Sequence, residues 1–294
     1  MSRQLRFAIP LVAALGATVV PSQASAFCRT TTCDPKSNAC EQDAEGCVLS
    51  GLPLYWPGAC LSFSVNKSGT PLRGIDWETT EDLVTQGFNT WTSVDCGGAT
   101  PSIALQSRSP VACNAQEYNQ KQPNANIWLY RDDGWPYAGA ANTLALTTIT
   151  FNVNTGEIFD ADVEINSAEN VLTAGDQGVQ TDMLSIVTHE AGHFLGLSHT
   201  KKGDATMFAT YSPGSTSLRS LSADDAAGIC AIYPPGRDAD SCSFDPRHGF
   251  SGECAGAVDQ GCTCGIVGAP TERQGGVALS VLALAWVWIR RRRS

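Results

Sequence analysis

The stretch His189-Glu190-Ala191-Gly192-His193-Phe194-Leu195-Gly196-Leu197-Ser198-His199 decides how this chain is read. The chain holds 4 histidines, and three of them fall inside this window. Positions four apart on an α-helix lie about 40° apart in projection and about 6 Å apart along the axis, so the imidazoles of His189 and His193 can converge on one ion. Zinc (Zn2+) takes a tetrahedron with nitrogen ligands at about 2.0–2.1 Å, and a catalytic site keeps one vertex open. On a continued helix His199 would face the wrong way. Gly196 resolves this, because glycine accepts a positive φ, ends the helix and turns the chain until His199 reaches the metal. Glu190 then belongs beside the fourth vertex, where its carboxylate takes a proton from a water whose pKa the metal lowers toward about 7. A purely structural zinc would close that vertex with another protein ligand, and satisfied helix histidines would have no reason for this spacing.

Working outward, Asp182 to Leu197 reads as a helix, with Met183, Leu184, Ile186, Val187, Phe194 and Leu195 at its apolar positions. A further helix is expected from Ser222, its N-cap, to about Tyr233, where Pro234-Pro235 stops it. Upstream, Leu61 to Val65 alternates like a half-buried strand, and Ile75 to Trp91 is helical with acids toward its start. Three strand-like runs follow, Ser102 to Leu105, Asn126 to Tyr130 and Thr143 to Val153. The last turns at Asn154-Thr155-Gly156 and returns as Glu157 to Asn166. This order predicts an α/β (α+β) domain with a twisted mixed sheet, an active-site helix and a C-terminal helix.

The ends read differently. Residues 1–26 carry Arg3 and Arg6, an apolar stretch from Phe7 to Val20, and Ala24-Ser25-Ala26, the pattern of a secretory signal cut after Ala26. Residues 27–59 form a cysteine-rich N-terminal segment, 60–235 the main domain, 236–265 a second cysteine-rich stretch, and 266–294 a tail with an apolar run from Val277 to Ile289 before Arg290 to Arg293. That run is short of the roughly 20 residues that cross a bilayer. All 12 cysteines follow Ala26, so disulfides in an oxidising compartment are expected, with connectivity left open. The formal net charge is −10, with six arginines confined to the extreme ends, so the acidic body repels phosphate backbones and no nucleic acid partner is expected.

The histidine window resembles the extended motif of the metzincin metallopeptidases, and within them the matrixins. Met207, in Ala205-Thr206-Met207-Phe208-Ala209-Thr210-Tyr211, resembles the Met-turn of that family, and Leu221 to Ile229 resembles the start of its C-terminal helix. The resemblance covers roughly Cys60 to Tyr233. It implies a zinc metalloendopeptidase that cuts extracellular protein or peptide substrates as a monomer, with Met207 as an apolar floor under the ligands and Tyr211 near the metal and substrate pocket. It also implies a peptide added as a strand along the sheet edge near Thr143 to Thr147.

Three departures stand out. Ala209 replaces the usual proline. The histidines of a second, structural zinc are missing apart from His248. No cysteine-switch propeptide precedes the domain, although Cys28 or Cys33 could cap the metal as a free thiol. Asp132, Asp133, Asp160, Asp162 and Glu164 offer oxygens suited to calcium (Ca2+), or else form a solvated strand face. The tail, with Gly261-Cys262-Thr263-Cys264, the apolar run and the arginines, resembles the MYXO-CTERM sorting signal of myxobacteria. That implies transient membrane insertion, cleavage near the cysteine, and display on or release from a Gram-negative cell; a plain C-terminal anchor is the alternative. The rival function is a non-catalytic surface binding or adhesion module on a peptidase scaffold, for which an intact Glu190 has no use.

Overall fold

The computed structural model describes residues 27–35, 38–254 and, as backbone, the strand 276–284. The expected signal at 1–26, Cys262, Cys264 and Arg290 to Arg293 lie outside the described residues. In chain order the elements are β1 (Cys28–Arg29), β2 (Cys60–Val65), α1 (Trp77–Thr92), β3 (Ala104–Ser107), β4 (Ile127–Tyr130), β5 (Thr143–Asn152), β6 (Ile158–Ile165), β7 (Leu172–Thr173), β8 (Thr181–Asp182), α2 (Met183–Phe194), β9 (Leu197–Ser198), α3 (Ala223–Ile232) and β10 (Gly276–Leu284). Each expected strand and helix appears, most within two residues of its expected ends. The helix expected to reach Leu197 stops at Phe194, because Gly196 already has a φ of +96°.

The main sheet runs β3-β2-β4-β6-β5-β10. β2 lies parallel to β3 and β4, and β4 parallel to β6, whereas β5 returns antiparallel to β6 through the Gly156 turn. The sheet is therefore mixed, as expected. β10 pairs antiparallel along the outer side of β5, with Val281 opposite Thr147 and Leu282 opposite Leu146. It is the backbone edge to which the resemblance assigns a bound peptide.

The two long helices pack against each other under this sheet. Gly87 makes the approach close, because a Cβ there would stand 3.2 Å from the Thr188 backbone nitrogen. Trp91 spans the contact, donating its indole N–H to the Thr188 carbonyl at 2.7 Å. Phe88 meets Phe63, Trp128 and Phe194 ring to ring in the shared core. Each such side chain, fully buried, contributes about 1.5–3 kcal/mol.

Among the described residues five disulfides form: Cys28–Cys47, Cys33–Cys40, Cys60–Cys242, Cys96–Cys230 and Cys113–Cys254. Cys28 and Cys33 are both paired, as the disulfide reading expected, so neither sulfur is free to cap a metal. Among the described residues no helix is long and apolar enough to cross a membrane.

Candidate metal centre and its cleft

Helix α2 starts where Asp182 accepts from the Ser185 amide at 2.8 Å, and Arg219 braces the same carboxylate from outside the helix. From that fixed start, His189 and His193 fall on one face. The chain then bends at Gly196, where a Cβ would stand 2.8 Å from the Leu54 carbonyl oxygen, so only glycine fits without displacement. β9 follows and is held by β1: the Thr30 amide donates to the Gly196 carbonyl and the Thr30 hydroxyl to that of Leu197. This small two-stranded ribbon delivers His199.

The result is a cluster of ring nitrogens facing one another. His199 Nε2 stands 3.1 Å from Nε2 of His189 and 3.1 Å from Nε2 of His193. The outer nitrogens are spoken for: His189 Nδ1 meets the Thr206 carbonyl at 2.6 Å and His193 Nδ1 the Leu197 carbonyl at 3.0 Å. A carbonyl can only accept, so each Nδ1 carries the proton and each inward Nε2 presents a lone pair. Two lone pairs thus aim at His199 Nε2, and a Lewis acid held by all three nitrogens suits that arrangement. A tetrahedron with bonds of about 2.0–2.1 Å has edges of about 3.3–3.4 Å, close to what these side chains span. Burial lowers the pKa of all three rings, with the neighbouring imidazoles adding to the effect at His193 and His199, the latter pushed down to about 3. Neutral rings are the form that binds metal. The donor set thus fits zinc.

Glu190 lies one position along α2, 1% exposed, its pKa raised to about 7 by burial despite a hydrogen bond from Thr147. Beside it lies a small apolar pocket lined by Leu144, Ile186, His189, Glu190, Phe208, Ala209, Tyr211 and Leu218. Tyr211 lines this pocket, and its hydroxyl accepts from the Asp182 amide and donates to the Ser215 carbonyl. Met207 packs beneath α2, so close that a Cβ on Gly192 would come 2.3 Å from its sulfur. The Met207 and Thr206 amides both donate to Asp225 at the start of α3, which also accepts from Ser222. Asp225 was legible only as a first-turn acid; its reach to the Met207 turn is a long-range contact that no local pattern encodes.

Three of the five acids offered as calcium ligands, Asp132, Asp162 and Glu164, have other partners. Asp132 accepts from the Thr70 and Ser167 hydroxyls and the Leu72 amide. Glu164 is 0% exposed and takes the Arg131 guanidinium and the Tyr137 hydroxyl, and Asp162 accepts the Ile127 and Glu117 amides. Of these acids, Asp160 is the one with a buried carboxylate oxygen, Oδ1, that no group among the described residues meets. The strand face expected to be solvated is therefore buried instead, because β6 lies inside the sheet between β4 and β5. His248 sits in a loop with a φ of +68°. The other cluster of ligand-type atoms, Cys113, Glu117 and Cys254, has its two sulfurs joined to each other.

Comparison with known proteins agrees with this architecture. Residues 56–234 match the matrixin peptidase M10 family. Metalloendoproteinase 1-MMP of Arabidopsis thaliana is 26% identical over 191 residues, 61% of this chain and 44% of that protein. Human matrilysin is 34% identical over 101 residues, 34% of this chain and 35% of its own length. Human matrix metalloproteinase-26 is 30% identical over 197 residues, 64% of each chain. The match spans less than half the length of the first two relatives. Since the family match alone takes in more than half of the sequence, this chain belongs to the matrixins, a family of zinc-dependent peptidases.

Proposed function

We propose that this protein is an exported, monomeric zinc metalloendopeptidase in which His189, His193 and His199 hold the metal and Glu190 is the general base. The observation that carries the reading is the inward convergence of the three Nε2 atoms beside a buried carboxylate and an apolar pocket. When bound, zinc supplies an acidified water and polarises the scissile carbonyl. The chain's own residues do the rest. The pocket behind Glu190 takes an apolar substrate side chain and excludes water from it. Glu190 accepts a proton from the attacking water and passes it to the departing amine, a transfer suited to a carboxylate whose pKa stands near 7. Substrate backbone would add to β5 as a strand, taking over groups that β10 engages here.

Five disulfides support an oxidising, extracellular destination. The tail completes the proposal: its cysteines, apolar run and arginines would direct transient membrane insertion and then processing at a Gram-negative cell surface. No calcium enters this reading, because Arg131 already holds Glu164 and backbone amides hold Asp162.

The test is hydrolysis of a denatured protein substrate by the purified chain, with Glu190→Ala and a zinc chelator as controls. Activity is expected to fall by about 10²–10⁴-fold in the variant. Equal turnover by the variant would remove the mechanism, and absence of turnover in the native chain would leave the adhesion module in its place. A chain ending at Cys254 should show a lower KM for the same substrate if β5 is the edge the peptide joins.

A further inference from the structure

Resting on Glu190 as the base, we infer that Thr147 is a positioning residue for the proposed reaction, locking the Glu190 carboxylate in the orientation that proton transfer needs. Thr147 lies on β5 and is 0% exposed. Its hydroxyl stands 2.6 Å from Glu190 Oε2 and 3.5 Å from the Glu190 carbonyl. A hydroxyl has one proton to give, and the shorter contact to the carboxylate takes it.

That bond has a geometric consequence. Glutamate has three rotatable bonds between backbone and carboxylate, and packing alone does not fix where the carboxylate oxygens aim. Among the described residues, the Thr147 hydroxyl is the only hydrogen-bond partner recorded for the Glu190 carboxylate. By engaging one oxygen from the sheet side, it leaves the other as the free acceptor on the cleft side. The strand that presents its backbone to a peptide therefore also sets the aim of the base. Misplacing a reacting group by about 1 Å can cost on the order of 10²-fold in rate, so one buried hydrogen bond can matter here.

Threonine also suits the position mechanically. Its β-branch limits χ1, so the hydroxyl is preset by packing within the sheet and need not be ordered when substrate arrives. Valine would keep the shape and lose only the donor; serine would keep the donor and lose the methyl.

The experiment compares Thr147→Val, Thr147→Ser and Glu190→Ala, each with zinc stoichiometry and thermal midpoint measured alongside kinetics. Thr147→Val should retain a full zinc complement and lower kcat by about 10-fold with KM unchanged, and Thr147→Ser should recover most of that loss. A crystal structure of Thr147→Val should show Glu190 in another rotamer. A kcat equal to wild type in Thr147→Val, or a serine variant as impaired as the valine one, would overturn the inference. So would a kcat loss that merely tracks lost zinc. If Glu190→Ala keeps its activity, it is the base assignment that fails, and the inference falls with it.

Discussion

Two of the buried polar clusters among the described residues resolve their charges in opposite ways. Around α2, three imidazoles bring their Nε2 atoms together, and no cationic side chain among the described residues is recorded beside them. Along β6, Asp162 and Glu164 are as deeply buried but are met by amides, a guanidinium and a phenol. The comparison teaches that ligand-type residues do not make a metal site by being close together. What marks one is convergent acceptors with their donors missing, whereas a satisfied network has supplied its own cations.

Breaking each cluster should therefore have a different signature. His193→Ala is expected to have the largest effect, abolishing bound zinc by elemental analysis together with peptide hydrolysis; a variant that kept stoichiometric zinc would refute the ligand assignment. Arg131→Ala strands the Glu164 carboxylate in the interior, and urea unfolding should record a loss of about 3–5 kcal/mol while zinc content stays the same. Asp160 gives a smaller change of opposite sign. Burial and the neighbouring Asp162 raise its pKa well above the ordinary range. The stability it contributes is thus complete below its unfolded value of about 3.9 and is lost as pH rises through the folded one. Asp160→Asn should accordingly raise Tm at pH 7 by roughly 2–4 °C, with the gain vanishing below about pH 4. Smallest of all, a calcium-selective chelator should leave Tm unmoved. A fall would mean that the β6 cluster holds a cation in solution and that the contrast between the clusters is false.

The sequence made the first cluster legible and concealed the second, for a physical reason. His189, Glu190, His193, Gly196 and His199 lie on one helix and the bend after it, so helical geometry alone relates them. Ser222 was likewise readable, because a cap is a local interaction. The acids of β6 alternate just as a solvated strand would, and only the placement of β6 between β4 and β5 shows that they are inside. Arg131 meets Glu164 across 33 residues of chain, and Thr147 meets Glu190 across 43. Neither pairing leaves a periodic trace.

Asp225 has one more consequence. Its carboxylate grips the amides of Thr206, Met207 and Ser222, and the Thr206 carbonyl in turn fixes the His189 ring. Unravelling the first turn of α3 would therefore release the grip on an imidazole whose own helix is still intact. Amide exchange at Thr206 and Met207 should report the same opening free energy as the start of α3, so that the C-terminal helix and the metal centre open as one cooperative unit.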